Sequence, residues 1–303
     1  MPEIREILQG KRNEIIYDLS WSDYCGLAAM NPSTLVCGIK PKGSLRLLKY
    51  CWDCANTPGE DEDQSPPSGP LVWGRAAHCL LFEPDKFIER FCCWDGRRAG
   101  NEYKAFAAQA AEFGAEVLNK KQFATVVEAG RAFAQCQEVK PLISSGKAEV
   151  TLLTVEEIED EDGEIHEVQC KHRLDWVDGG AKTIVDLKTT RNMNPRAFSR
   201  DFFAYKYAEK LGLYQRALEK LTGERYPVNV VMLEKSPPFD VAIMPVPDEV
   251  LERGAKKALG VLREVVTAIK RDKWPGKSHQ DFTLDVPAWE MDDEVDYSGV
   301  SYG

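Results

Sequence analysis

Arg173-Leu174-Asp175-Trp176-Val177 and Thr183-Ile184-Val185-Asp186-Leu187-Lys188-Thr189-Thr190 stand either side of Gly179-Gly180. Both runs alternate apolar with polar residues, and a glycine pair between such runs marks a β-hairpin. Side chains along a strand alternate faces, so Asp186 and Lys188 project together. By the same rule Asp175 shares a face with Gln169, Lys171 and Arg173, while Val168, Cys170, Leu174 and Trp176 take the other, core-facing side. Two carboxylates and an ammonium thus converge on the polar side of a strand pair. That grouping suits a divalent metal and a phosphate; a plain salt-bridge ladder across a hairpin is the alternative reading.

Upstream, Ala148 to Val155 reads as a strand, Asp160 to Gly163 as an acidic turn and Ile165 to Asp178 as a long strand. With the Asp186 strand they form an antiparallel meander. Glu149 lies on its first strand, Asp175 on its second, and Asp186 and Lys188 on its third. A Mg²⁺ site needs several hard oxygen ligands. Phosphodiester hydrolysis adds an activated water and a cation near the scissile phosphate. Asp186 can serve as ligand, and Lys188 can orient the water or neutralise charge developing on the phosphate.

Before the meander, Ser44 caps a short helix that runs to about Cys54, and Asn56 to Pro70 is a Pro-, Gly-, Ser- and acid-rich loop. A helix from Trp73 to Phe82 carries His78 and closes at Glu83-Pro84; Gly74, Ala76 and Ala77 permit close backbone approach. Residues 101–118 and 120–139 read as two further helices. After the meander come a helix opened by Asn194-Pro195, a strong helix from Phe202 to Leu221, strands at Val228–Leu233 and Phe239–Val246, and an amphipathic helix over 248–271. Residues 1–40 show no sustained period.

The chain has 303 residues, 43% of them hydrophobic, enough for one large α/β domain with elaborations. Its net charge of −10 is concentrated in acidic runs such as Glu60 to Asp63 and Asp292 to Glu294, which leaves room for a local basic groove. The nine cysteines are scattered and odd in number, and the first residues lack an apolar leader, so a reduced, cytoplasmic protein is expected. No apolar run is long enough to span a membrane. Cys51-Trp52-Asp53-Cys54 matches no zinc-module spacing and reads as the end of a helix. His166, His172 and His279 read as ordinary structural residues.

The order of these residues resembles the PD-(D/E)xK nuclease superfamily, and within it the RecE-type (exonuclease VIII) domain. The resemblance runs from about Ser44 to Gly276. Trp73-Gly74-Arg75-Ala76-Ala77-His78, followed by Leu80-Leu81-Phe82-Glu83-Pro84, is similar to that family's G-x-A-x-H helix and L-L-x-E-P segment. Glu149, Arg173-Leu174-Asp175 and Val185-Asp186-Leu187-Lys188-Thr189-Thr190 match its glutamate, R-x-D and V-D-L-K-T-T positions. The family's Q-x-x-x-Y is here Lys210-Leu211-Gly212-Leu213-Tyr214, with lysine for glutamine, and Gln215 faces a different direction on the helix.

The resemblance implies a restriction-endonuclease-like α/β core, a mixed sheet flanked by helices with a helical N-terminal elaboration. It implies a metal site of His78, Glu149, Asp175, Asp186 and the Leu187 carbonyl, with Asp175, Asp186 and Lys188 catalytic. Mg²⁺, replaceable by Mn²⁺, is the expected metal. Relatives with an iron–sulfur cluster use cysteines near the C-terminus, and none follows Cys170, so no cluster is expected. Arg75, Arg173, Arg191, Arg196, Lys210 and Tyr214 are the candidate DNA contacts; nothing in the chain reads as a base-reading module. The expected organisation is an extension (1–43), a nuclease domain (44–276) and an acidic tail (277–303). The expected activity is a Mg²⁺-dependent exonuclease resecting duplex DNA ends 5′→3′. Its implied partners are a single-strand annealing protein and further copies of itself. An inactive nuclease-fold binding module and a structure-specific endonuclease are the alternatives.

Overall fold

The computed structural model describes residues 2–56 and 69–279. In chain order the elements are β1 (Glu14–Ile16), α1 (Trp21–Gly26), α2 (Pro32–Leu35), α3 (Leu45–Asn56), α4 (Gly69–Phe82), α5 (Pro84–Arg90), β2 (Phe91–Trp94), α6 (Asn101–Glu112), β3 (Glu116–Asn119), α7 (Lys120–Gln135), β4 (Lys147–Glu159), β5 (Ile165–Asp178), β6 (Thr183–Thr190), α8 (Pro195–Ala204), α9 (Tyr207–Thr222), β7 (Val228–Glu234), β8 (Val241–Val246) and α10 (Asp248–Arg271). The acidic run at 60–63 and most of the expected 277–303 tail lie outside the described residues, as does most of the 56–70 loop.

The main sheet is six-stranded in the order β1-β4-β5-β6-β7-β8. The antiparallel meander β4-β5-β6 is present. β7 then lies parallel to β6 after a crossover through α8 and α9, which makes the sheet mixed. One core layer joins Val150, Leu152, Leu174, Ile184, Val228 and Val230 to α8 and α9. The other joins Val185, Leu187, Val231 and Leu233 to α4 and α7. α10 turns its buried stripe of Leu251, Ala255, Ala258, Leu262, Val265 and Val266 inward, and carries acids in its first turn and bases in its last, as the helix dipole favours. α9 and α10 touch backbone to backbone: a Cβ on Gly212 would lie 2.1 Å from the Leu251 carbonyl oxygen, and one on Gly254 2.2 Å from that of Ala208.

Four expectations change. The helix expected over 101–118 stops at Glu112, because Gly114 turns the chain at φ 68° and Glu116–Asn119 becomes a strand parallel to β2. The helix expected from Phe202 is two helices, since Lys206 takes φ 61° between Ala204 and Tyr207. The polar face of β5 is covered: Gln169 and Lys171 are buried, and the Lys171 ammonium donates to the carbonyls of Tyr24 (2.8 Å), Cys25 (3.3 Å) and Leu27 (2.9 Å). Residues 1–40, unreadable by period, supply that cover and the edge strand β1. Finally, Leu174 and Trp176 do not share a core: Leu174 joins the α8/α9 layer and Trp176 packs against the α4/α7 layer. Val150 and Ala148, their partners on β4, divide in the same way. Both strands therefore change face at Glu149 and Asp175, where Glu149 has φ 51°, a non-glycine conformation that costs on the order of 1–3 kcal/mol and clusters at functional sites.

A candidate active site where two strands fork

β5 and β6 pair only from Asp178↔Thr183 to Trp176↔Val185. Beyond that they part, while β6 stays paired with β7 through Thr190↔Glu234. A forked strand leaves backbone donors without partners, and such groups must find one. The Leu187 N–H finds Asp175, whose Oδ2 accepts it at 2.9 Å. The fork thus fixes Asp175 between the strands, one residue past the last ladder pair, with Asp186 opposite.

α4 approaches this fork closely because Gly74 has no side chain; a Cβ there would lie 3.3 Å from Thr189 Oγ1 on β6. The approach brings His78 Nε2 to 2.8 Å from Asp175 Oδ2 and Nδ1 to 3.8 Å from Glu149 Oε1. Glu149 in turn accepts from Arg173 Nε at 2.5 Å. On β6, the Lys188 ammonium contacts Asp186 Oδ2 and lies 4.8 Å from the centre of the Tyr207 ring. Asp186 is buried and, among the described residues, no backbone amide or hydroxyl hydrogen-bonds it. The structure therefore gathers His78, Glu149, Asp175, Asp186 and Lys188 from α4, β4, β5 and β6 into one cluster.

The electrostatics follow from burial and neighbours. Burial alone would raise the carboxyl of Asp175, but His78, the Lys188 ammonium and the Leu187 N–H together outweigh it and hold it at about 2. For Asp186 the balance goes the other way: burial, with the Asp175 charge added, pushes it up to about 6 against the pull of Lys188. Burial disfavours charged His78, yet Asp175 and then Glu149 raise it above its ordinary value. Lys188 is likewise raised, Asp186 and Asp175 overcoming its desolvation. Lys210 is lowered, first by burial and then by Lys188; the lysine at the glutamine position thus borders the cluster. Tyr214, raised by burial, also feels Asp175, Asp186 and Glu149. Gln215 looks elsewhere, its amide donating to the Tyr226 carbonyl and Asp248 at 2.9 Å each.

The donor set passes a chemical test for a hard divalent cation. It offers three carboxylates and an imidazole. One carboxylate, that of Asp186, is buried with no backbone amide or hydroxyl donor among the described residues, and its carboxyl is pushed up even with the Lys188 ammonium in contact. A second acidic group, Asp160, Glu164 and His166, has ligand atoms close together. There the Lys270 ammonium already sits 3.0 Å from Asp160, 3.1 Å from Asp162 and 2.7 Å from Glu164. His166 adds a hydrogen bond to Asp160 at 2.9 Å. Lys270 thus ties the β4–β5 turn to α10 through this acidic group. His172 is buried, lowered by burial to about 3, and packs edge-on to Tyr214.

The basic candidates divide. Arg75 is paired with Glu116 on β3 at 2.5 Å, a tie between α4 and the small sheet. Arg173 is held by Glu149 and by the Leu19 carbonyl at 3.1 Å. Arg191 and Arg196 are exposed where β6 leaves the sheet. The signals that sequence reading missed are Tyr207, beneath Lys188, and the aromatics of α1, Trp21 and Tyr24, which flank Arg173 at 5.8 and 5.5 Å. In the chain Tyr207 reads as one of the apolar-face residues of a helix, and Trp21 and Tyr24 lie in a segment without period.

Comparison with known proteins places this geometry. The model of one family, described as a PDDEXK-like domain of unknown function (DUF3799), matches residues 48–281. Among solved structures, that of a "Putative exonuclease" from Eubacterium rectale superposes with TM-score 0.58 at 14% identity, covering 92% of this chain and all of its own. That of SSO0001 matches at 13% identity, over 63% of this chain and 85% of its own, with a TM-score of 0.27 on which nothing rests. No curated protein matches.

Proposed function

Since the chain belongs to the PDDEXK-like domain family DUF3799, we propose that the fork between β5 and β6 is the active centre of a metal-dependent deoxyribonuclease. The observation that carries this reading is the gathering of Glu149, Asp175 and Asp186 at the fork, with Lys188 against Asp186 and His78 against Asp175. His78, Glu149, Asp175, Asp186 and the Leu187 carbonyl would hold the cation, with Mg²⁺ or Mn²⁺ the ions suited to a mainly oxygen set. When bound, such an ion lowers the pKa of water and screens the charge of the phosphate. Lys188, kept charged by Asp186 and Asp175, orients the attacking water and stabilises charge building on the phosphate oxygens. Tyr207 faces the Lys188 ammonium with its ring and helps to position it. Lys210 adds a second, weaker cation on the α9 side, and Arg191 and Arg196 take the backbone of the strand leaving the site.

The finer reading follows from resemblance to RecE-type enzymes: a 5′→3′ exonuclease acting on duplex ends, oligomeric and therefore processive, supplying single strands to an annealing partner. The exonuclease-named structure shares the fold; polarity, oligomer and partner come from the resemblance alone. Incubation of purified protein and Mg²⁺ with 5′-labelled linear duplex, 3′-labelled linear duplex and closed circular DNA tests it. Early release of the 5′ label with the circle intact is the expected result; cleavage of the circle supports an endonuclease instead.

A further inference from the structure

We infer that Trp21 is a stacking platform for an unpaired nucleobase beside the acidic fork, an assignment that rests on the nuclease reading of that fork. Trp21 opens α1 and is 65% exposed, an unusual position for the largest apolar side chain. It is not loose. Its ring stacks on Tyr24 at 5.5 Å between centroids and 21° between planes. Tyr24 is buried and has the Lys171 ammonium 4.8 Å from its centroid. The Arg173 guanidinium lies 5.8 Å from the Trp21 ring and 5.5 Å from that of Tyr24. The start of α1 is capped by Ser20, which accepts from the Asp23 N–H at 3.0 Å.

Lys171 and Arg173 then fix this small helix and its flanks to β5. Lys171 binds the carbonyls of Tyr24, Cys25 and Leu27. Arg173 binds that of Leu19. The same Arg173 holds Glu149 of the acidic cluster through its Nε. A buried lysine and an arginine one turn of the pleat away are an expensive means of attaching six residues, since each charge must lose water. What they hold in place is a backed indole presented to solvent, with Arg173 between it and Glu149.

A rigid aromatic surface stacks any base, because every base has a π-face. A base inside a duplex is already stacked on its neighbours, so the ligand class is a single strand or a frayed or overhanging end. The platform therefore lies where the strand entering or leaving the fork would be unpaired. It selects no sequence, since stacking on a π-face reads no base edge.

Fluorescence anisotropy tests the platform without catalysis. A labelled single-stranded 20-mer is titrated with the full-length protein in EDTA, as wild type, Trp21→Ala and Trp21→Phe. The test is repeated with an oligonucleotide carrying abasic sites throughout. Trp21→Ala is expected to bind the normal strand about 10-fold more weakly (about 1.4 kcal/mol), and Trp21→Phe to bind within about threefold of wild type. On the abasic strand wild type and Trp21→Ala should bind alike. Equal binding of the normal strand by wild type and Trp21→Ala overturns the platform, and so does an equal loss on both strands. Circular dichroism establishes that Trp21→Ala is folded, which its exposure favours. Nucleotide release in Mg²⁺ by the same wild-type preparation separates the two readings. Release with Trp21-independent binding removes the platform alone; Trp21-dependent binding without release removes the nuclease reading alone.

Discussion

His78 and Asp175, 97 positions apart in sequence, share a 2.8 Å hydrogen bond that ties α4 to β5 at the mouth of the strand fork. The same Asp175 oxygen accepts the Leu187 N–H from β6. One carboxylate therefore joins three elements, and the two strands that it bridges have just stopped pairing. It is the point at which the fold's geometry becomes the site's chemistry.

That bond carries a pH signature. His78 titrates above its ordinary 6.5 in the folded state, so its contribution to stability is complete below about pH 6.5 and is lost as pH rises through the folded value. Asp175 is held at about 2, below its ordinary 3.8; its contribution is present above 3.8 and disappears only as pH falls toward 2. Between about pH 5 and 9, then, His78 alone of this pair changes. In EDTA, the difference in melting temperature between wild type and His78→Gln should be widest near pH 5.5 and shrink toward pH 9. A difference that stays constant across this range removes the imidazolium from the account.

Asp186 moves the other way. Burial pushes its carboxyl up to about 6, and a ligand must lose its proton to bind metal. Protonated His78 competes in the same direction. Titration calorimetry with Mn²⁺ should therefore show affinity at least about fourfold weaker at pH 5.5 than at pH 7.5, and no binding by Asp186→Ala. Equal affinity at both pH values argues for ligands other than this carboxylate.

The α9–α10 contact makes a stability prediction independent of chemistry. Gly254→Ala would press a methyl against the Ala208 carbonyl, and overpacking of this kind costs about 1–3 kcal/mol. Gly260, on the same helix, has open space where an alanine methyl would sit, with nothing within 4 Å of it. Gly260→Ala should stabilise by about 0.5–1 kcal/mol through the unfolded chain's lost freedom. Urea denaturation of the two variants decides the matter; a Gly254→Ala midpoint at or above that of wild type would mean the helices can separate freely.

The meander was legible because each of its strands carries its own alternation and its turns carry their own glycines and acids. The α4 approach was legible in Gly74, Ala76 and Ala77. The cluster His78, Glu149, Asp175, Asp186 and Lys188 needed order along the chain as well as strand period. What stayed hidden depended on distant contacts. Nothing local in Lys171 and Arg173 announces that residues 17–31 will cover them, and alternation failed at Asp175 because Glu149 departs from strand geometry. Glu116–Asn119 was lost inside a helix because its strand partner, Phe91–Trp94, lies more than twenty residues upstream. Tyr207 was hidden because the break at Lys206 that begins a new helix there leaves no glycine or proline in the chain.

The central claim is tested by acid-soluble nucleotide released from linear duplex DNA in Mg²⁺ and in EDTA, by wild type, Asp186→Ala and Lys188→Ala. Wild type should release nucleotide in Mg²⁺ and none in EDTA. Both variants, folded by circular dichroism, should be slower by a factor on the order of 10²–10⁴. Release at the same rate by all three proteins, or by none of them, would contradict the assignment of the fork as a nuclease centre.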